Sequence, residues 1–246
     1  MNKIFLITGS NSGLGMAISK EILKDTADII CVSKSNQKIF HDNLLYIKYD
    51  LTNEITKKLI HTINNKLKKY KEINIILNAA IDIKDNKNEI NINNNLNQLK
   101  INFYNQYSLL INILKNKKQK KINFFFVSSF NVLLFNRVDS IGYNLSKSFQ
   151  FELFKNLKLK FPKYNPKIIF LAGMNTKMYS KSLKRYISQK SLKYKLKLSN
   201  SMNVTFVAKE IMIFLRNKKK DVLFLPKKYK FGLILNYIFQ ILKILK

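Results

Sequence analysis

A chain of 246 residues, 46% of them hydrophobic, buries one substantial core and demands no second one. Its single cysteine, Cys31, excludes a disulfide framework and a cysteine metal site within the chain, and the two histidines, His41 and His61, add little. Of the 45 basic residues behind the formal charge of +31, only Arg137, Arg185 and Arg216 are arginine, the residue that reads bases and clamps phosphates, so nucleic acid is not the expected partner.

Short apolar runs alternate with longer amphipathic ones, the pattern of a parallel α/β sheet. A strand over 4–8 runs into Thr8-Gly9-Ser10-Asn11-Ser12-Gly13-Leu14-Gly15, and a helix follows over 13–23. Such a turn sets backbone N–H groups and a positive helix N-terminus against a diphosphate. Gly9 permits the turn, Gly13 lets the backbone approach the phosphates, and Gly15 lets the helix pack closely. A second strand over 29–33 carries Cys31 in an apolar run, where a buried thiol is expected. A third strand spans 45–49 and a helix 52–69; a fourth strand spans 73–77. The asparagine-rich stretch 82–95 reads as a surface loop, followed by a helix over 96–114. Strands over 122–128, 167–171 and 222–225 alternate with helices over 143–159 and 204–216. Right-handed crossovers give a doubly wound, three-layer sheet of order 3-2-1-4-5-6-7, with its ligand crevice outside the strand C-termini.

Tyr143 and Lys147 stand four residues apart and share one helix face. A phenol with a pKa of about 10 is a poor acid at neutral pH. A neighbouring ammonium and a positively charged nicotinamide favour the phenolate and lower that pKa. Such a tyrosine donates its proton to a carbonyl as hydride arrives. Tyr186 and Lys190 repeat the spacing, but in a basic stretch with no apolar strand before it; Tyr143 follows Ser128 and Ser129 at the end of one.

The chain resembles the short-chain dehydrogenase/reductase family, classical type, over approximately residues 3–225. Thr8 to Gly15 matches the cofactor motif Thr-Gly-x-x-x-Gly-x-Gly. Asp50, beside Leu51, matches the acid that hydrogen-bonds the adenine. Asn78-Ala79-Ala80 resembles Asn-Asn-Ala-Gly, with Leu77 and Ala80 in place of an asparagine and a glycine. Asn102, Ser129, Tyr143 and Lys147 match the catalytic tetrad. Ala172-Gly173-Met174-Asn175-Thr176 resembles the Pro-Gly-x-x-x-Thr segment beside the nicotinamide. By resemblance, Tyr143 is the acid and Ser129 orients the carbonyl. Lys147 holds the ribose, and Asn102 bends its helix and anchors a proton-relay water. Ser129 lies 14 positions before Tyr143, one more than the commonest spacing, so Ser128 is the alternative.

The end of the second strand, Ile30-Cys31-Val32-Ser33-Lys34-Ser35, holds no acid to select NAD. Ser33 and Lys34 suit a 2′-phosphate, so NADP(H) is favoured over NAD(H), the alternative being that Lys34 is one more surface lysine. The expected domain spans 1–226, with a lid over 176–203 that holds Lys177, Lys181, Lys184, Arg185, Lys190, Lys193, Lys195 and Lys197. Such a lid attracts an anionic substrate or is a solvated basic face. The tail over 227–246 surrounds a polar stripe of Asn236, Gln240 and Lys243 with large apolar residues; it is too short in apolar run to span a bilayer. It lies at an anionic membrane surface or packs on the core or a second subunit. With three residues before Ile4 no signal peptide is expected, and a reducing cytoplasm fits that expectation. The expected activity is NADPH-dependent reduction of a ketone or aldehyde by a homo-oligomer; the alternatives are a non-catalytic cofactor-binding scaffold at an anionic surface and an isomerase on the same fold. No metal is called for.

Overall fold

Seven runs rich in Ile, Leu, Val and Phe pair as parallel strands because both faces of such a sheet are covered, and nothing polar is needed at alternate positions. They are β1 (Lys3–Thr8), β2 (Asp28–Ser33), β3 (Leu44–Lys48), β4 (Glu72–Leu77), β5 (Lys121–Ser129), β6 (Pro166–Leu171) and β7 (Val222–Leu225). The order across the sheet is β3-β2-β1-β4-β5-β6-β7, as expected. Register sets Thr8 beside Val32 and Ser129 beside Leu171, so the strand C-termini share one edge. The order reverses between β1 and β4, which opens the crevice where doubly wound sheets take their ligands. The computed structural model describes residues 3–83, 90–115, 121–133, 140–184, 191–232, 234–236 and 238.

Eight helices among the described residues cover the sheet: α1 (Gly13–Lys24), α2 (Lys57–Leu67), α3 (Ile92–Leu99), α4 (Asn105–Leu114), α5 (Ile141–Lys160), α6 (Lys177–Lys184), α7 (Leu192–Ser199) and α8 (Val204–Arg216). Strand alternation divides the core in two. Phe124 and Phe126 face α2, α4 and α5 through Ile63, Leu109, Ile113, Phe154 and Leu157. Phe125 and Val127 face α1 and α8 through Ile18, Ile22, Val207 and Ile211. Lys167, buried in β6, donates from Nζ to the carbonyls of Phe214 (3.5 Å) and Asn217 and so closes the C-terminus of α8.

Three expectations need correction. The helix expected from 52 starts at Lys57, because the Asp50 carboxylate accepts from Thr52 N–H at 2.9 Å and holds a turn, and Thr56 is the N-cap, accepting from Leu59 N–H at 3.2 Å. The helix expected over 96–114 is two helices joined by a π turn at Lys100–Tyr104. The loop expected over 82–95 already enters α3 at Ile92, capped by Asn91. Beyond β6, α6 and α7 lie in the basic stretch after Thr176, which is partly helical as expected, and an isolated bridge ties Met174 to Met202. After β7, a short turn at Lys227–Tyr229 leads into helical residues at 230–232, 234–236 and 238. The second Tyr-x-x-x-Lys, Tyr186 to Lys190, lies outside the described residues.

Candidate active site

The glycine turn is built by close approach. Gly9 has φ +68°, and a Cβ there would stand 2.8 Å from Ala79 Cα. Gly13 has φ +51°, facing Thr176. At Gly15 a Cβ would stand 2.1 Å from Gly9 O, so the first turn of α1 folds against the turn that feeds it. Ser12 is the N-cap of α1 but its side chain makes no cap bond, and no acid lies in the first turn. The N–H groups at this helix start are therefore left to a ligand, and the positive end suits a phosphate. Thr8, Ser10 and Asn11 are buried, and Leu14 is in the core, so Leu14 contributes its main chain alone to the turn. Asn11 Nδ2 donates to Ser35 Oγ at 2.9 Å and to Asn36 O, which fastens the loop after β2 to the glycine turn. Ser33 is half-buried and Lys34 is exposed on that loop.

The crevice wall is a hydrogen-bonded block. Thr8 Oγ1 donates to Gln106 Oε1 at 2.7 Å and accepts from the N–H groups of Asn78 (3.0 Å) and Ala79 (3.1 Å). Asn78 Nδ2 donates to Thr8 O (3.0 Å) and Gly9 O (3.3 Å). Asn105 Nδ2, at the start of α4, holds the carbonyls of Leu51 (2.7 Å) and Asn53 (3.0 Å), fixing the loop that carries Asp50.

Three of the four tetrad positions meet through α5. Its first turn is pinned by α3: Gly142 N–H donates to Asn95 Oδ1 at 2.6 Å, and a Cβ at Gly142 would stand 2.7 Å from Asn95 Cα. Asn102 sits in the π turn, fully buried. Its side chain pairs with Ile81 N–H (2.8 Å) and O (2.9 Å) and donates to Ser146 Oγ at 3.1 Å. Ser146 in turn donates to Tyr143 O at 2.7 Å. Lys147 is buried; Nζ donates to Val127 O at 2.7 Å and Gln150 Oε1 at 3.2 Å, and lies 5.7 Å from the Tyr143 ring centroid. Burial disfavours its charged form and lowers its pKa to about 7. Ser129, at the end of β5, accepts from Asn131 N–H at 3.2 Å, which leaves its hydroxyl proton to donate. Ser128 shares the register side of Phe126, and its Oγ is buried without a hydrogen-bond partner.

The segment after β6 closes the site. Gly173 lies under the Tyr179 ring, where a Cβ would come within 2.4 Å of it. Thr176 Oγ1 accepts from Tyr179 N–H at 3.2 Å. Only Met174 and Asn175 separate Gly173 from Thr176, one residue fewer than in the family segment, and Thr176 N–H bonds back to Met174 O at 2.7 Å. Among the described residues no group of His, Cys, Asp and Glu is gathered as a metal site.

Sequence reasoning passed over Asn95, Asn105, Gln106 and Gln150. All four are buried polar side chains on helices, and their spacing is that of an ordinary wet helix face. The available signal was a polar residue at an inward position of an amphipathic helix, visible only once the helix phase is known.

A parallel sheet with a glycine turn at its switch point and a Tyr–Lys pair beside it defines a nicotinamide-linked oxidoreductase fold. The family model described as short chain dehydrogenase matches residues 3–187, and the chain belongs to that family. A 3-oxoacyl-(acyl-carrier-protein) reductase of Buchnera aphidicola subsp. Baizongia pistaciae is 35% identical over 133 residues, 46% of this chain and 51% of that protein, so the match spans about half of the relative. Among solved structures, the ligand-free aldohexose dehydrogenase of Thermoplasma acidophilum superposes with a TM-score of 0.75 at 16% identity, covering 91% of this chain and 92% of that one. ElxO with NADP bound gives 0.73 at 23%, covering 91% and 97%. A 3-ketoacyl-(acyl-carrier-protein) reductase from Brucella melitensis complexed with NADH gives 0.72 at 17%, covering 90% and 96%. At these identities the likeness is one of fold.

Proposed function

We propose that this protein reduces a ketone or aldehyde to an alcohol with NADPH, Tyr143 being the proton donor. The observation that carries the reading is the α5 face on which Tyr143 and Lys147 stand, anchored through Ser146 to Asn102 and through Lys147 to β5. The uncapped start of α1 and the glycine cradle fit a dinucleotide, and relatives of the same fold carry NADP or NADH. The main chain from Thr8 to Gly15 would hold the diphosphate, Asp50 and Leu51 the adenine, Asn78 and Ala79 the crevice wall, and Gly173 and Thr176 the nicotinamide side. Ser33 and Lys34 would take the 2′-phosphate, because the end of β2 offers no acid to a ribose hydroxyl. When bound, the reduced nicotinamide supplies hydride to the substrate carbonyl carbon. Ser129 holds the carbonyl oxygen through its free O–H, and Tyr143 delivers its phenolic proton to that oxygen. Lys147 holds the ribose and keeps the phenol acidic. The basic lid, with Lys177, Lys181, Lys184, Lys195 and Lys197, favours an anionic substrate.

The test is a parallel titration of the purified protein with NADPH and NADH, followed by a carbonyl panel. Tight NADPH binding, weaker NADH binding and turnover that Tyr143→Phe abolishes support the reading. A Tyr143→Phe protein with full turnover removes the proton donor, and binding of neither nucleotide removes the enzyme.

A second reading concerns where the protein works. Phe231, Ile234, Leu235 and Ile238 are exposed at i, i+3, i+4 and i+7 of the tail, with Lys227, Lys228 and Lys230 before them and no acid after Asp221. No helix among the described residues is long and apolar enough to cross a membrane. The pattern favours peripheral contact with an anionic bilayer from the cytoplasm. Salt-sensitive sedimentation with anionic vesicles, lost in Phe231→Asp, supports it. Exposed Tyr104, Leu145 and Phe149 near Asn102 and Tyr143 favour pairing of subunits there, which light scattering reads directly.

A further inference from the structure

Gln150 lies one turn beyond Lys147 on α5 and is buried. Its amide direction is set by its partners: Nε2 donates to the main-chain carbonyl of Asn102 at 2.8 Å, and Oε1 accepts from Lys147 Nζ at 3.2 Å. A carbonyl only accepts and an ammonium only donates, so turning the amide round loses both bonds. Asn102 O also accepts from Gln106 Nε2 at 3.0 Å, and Gln106 is itself held by Ala79 O and Ile101 O, each at 2.8 Å. Both lone pairs of the Asn102 carbonyl are therefore taken by fixed side-chain amides.

We propose that Gln150 is a positioning residue of the catalytic centre, its amide standing between the Asn102 carbonyl and the Lys147 ammonium where the family resemblance implies a relay water. The inference rests on the carbonyl-reductase reading and deepens it. A water in that place takes a proton on one side and gives one on the other. A carboxamide N–H is far too weak an acid to do so. The bridge thus holds Lys147 without conducting protons, and Tyr143 is reprotonated from the crevice side, through Lys147 itself and the ribose hydroxyl. The groups packed against Nζ agree with this assignment: the Tyr143 ring from α5, the Val127 carbonyl from β5 and the Gln150 amide.

Gln150→Met and Gln150→Ala separate a positioning role from a packing role. Methionine fills the volume but offers neither hydrogen bond. Alanine leaves a polar hole that a water enters to bridge the same two groups. Packing alone orders both stability and kcat as wild type, then Met, then Ala. The bridge keeps that order for stability and reverses the two variants for kcat: Ala falls less than about tenfold and Met falls roughly 10–100-fold, with both KM values held within about threefold. The Met variant also shifts the limb of the kcat–pH profile governed by Lys147 about one unit to acid, because its ammonium has lost an acceptor. A kcat that follows stability in both variants overturns the bridge. Should the wild type turn over no carbonyl, the reductase reading fails, and the bridge is read without activity from urea unfolding against pH. The bridge predicts that the rise in stability with pH begins about one unit lower in Gln150→Met than in wild type and Gln150→Ala; three coincident curves reject it.

Discussion

The crevice between β1 and β4 and the cover beyond β6 are held in opposite ways. In the crevice, Thr8, Asn78, Asn105 and Gln106 together tie four segments through buried and part-buried hydrogen bonds, and Gly9 and Gly15 let backbone meet backbone. In the cover, main-chain ties stand out: the Met174–Met202 bridge, Asn175 N–H to Met202 O at 3.0 Å, and Tyr179 N–H to Thr176 Oγ1. Buried polar networks are specific because any unsatisfied member costs the full desolvation of its group. On the proposed function, the half that would meet the cofactor is thus preset, and the half that would meet the substrate is left to charge and apolar surface.

If the two halves are separable, chemistry and cofactor binding must fail independently, and the largest effect should show it. Tyr143→Phe is expected to lower kcat by about 10³-fold while NADPH affinity stays within about threefold. Loss of nucleotide binding in that variant would mean that the phenol props the crevice rather than serving the reaction. Next in size, Gly15→Ala forces a Cβ to within 2.1 Å of Gly9 O and 2.6 Å of Asn78 Nδ2. About 3 kcal/mol of stability should be lost in urea denaturation, together with most nucleotide affinity. Retained binding would show that the turn yields, against its tight construction.

Lys147 links the crevice to pH. Its folded pKa is about 7, lowered by burial from an ordinary 10.5. Below pH 7 the lysine is protonated folded and unfolded alike. Between pH 7 and 10.5 the unfolded chain keeps a proton that the folded protein has shed, so stability rises with pH. Cys31 acts the other way above its ordinary 9.0, because burial pushes that thiol up despite the Ser19 and Ser10 hydroxyls. Measured from pH 7 to 8.5, the wild type should gain about 2 kcal/mol relative to Lys147→Met. Parallel lines for the two proteins would place the ammonium in solvent. Smaller still, Lys34→Ala should weaken NADPH by about tenfold and leave NADH unchanged, as read by nicotinamide fluorescence. Equal weakening of both would make Lys34 a general anion attractor.

Legibility follows the same division. The seven strands and their order read directly from the sequence, because a strand covered on both faces announces itself as an unbroken apolar run. The glycine turn and the α5 face read from spacing, since the chemistry demands short, local patterns. The start of α2 did not: Thr52, Asn53 and Ile55 are weak helix formers, but it is the Asp50 and Thr56 hydrogen bonds that set the boundary. The π turn at Lys100–Tyr104 did not read from composition in an asparagine-rich segment; only the resemblance placed a bend there, at Asn102. Gln106 and Gln150 stayed hidden for a related reason: their function is to meet partners 27 and 48 residues away.

The smallest expected effect tests the comparison from the far side. Gly232, in the helical tail, has no atom within 4 Å of a Cβ built on it, and it is exposed. An alanine there meets no neighbour and removes backbone freedom from the unfolded chain, so Gly232→Ala should stabilise the tail helix by about 0.5–1 kcal/mol. If the crevice does not lean on the tail, helicity by circular dichroism should rise slightly while nucleotide affinity and kcat stay as in the wild type. Asn236 donates to Leu133 O at 3.3 Å, and a drop in kcat would mean that the tail extends from that contact over the crevice mouth. Stiffening it would then slow the exchange of substrate and product, and the two halves of the molecule would be coupled through the tail.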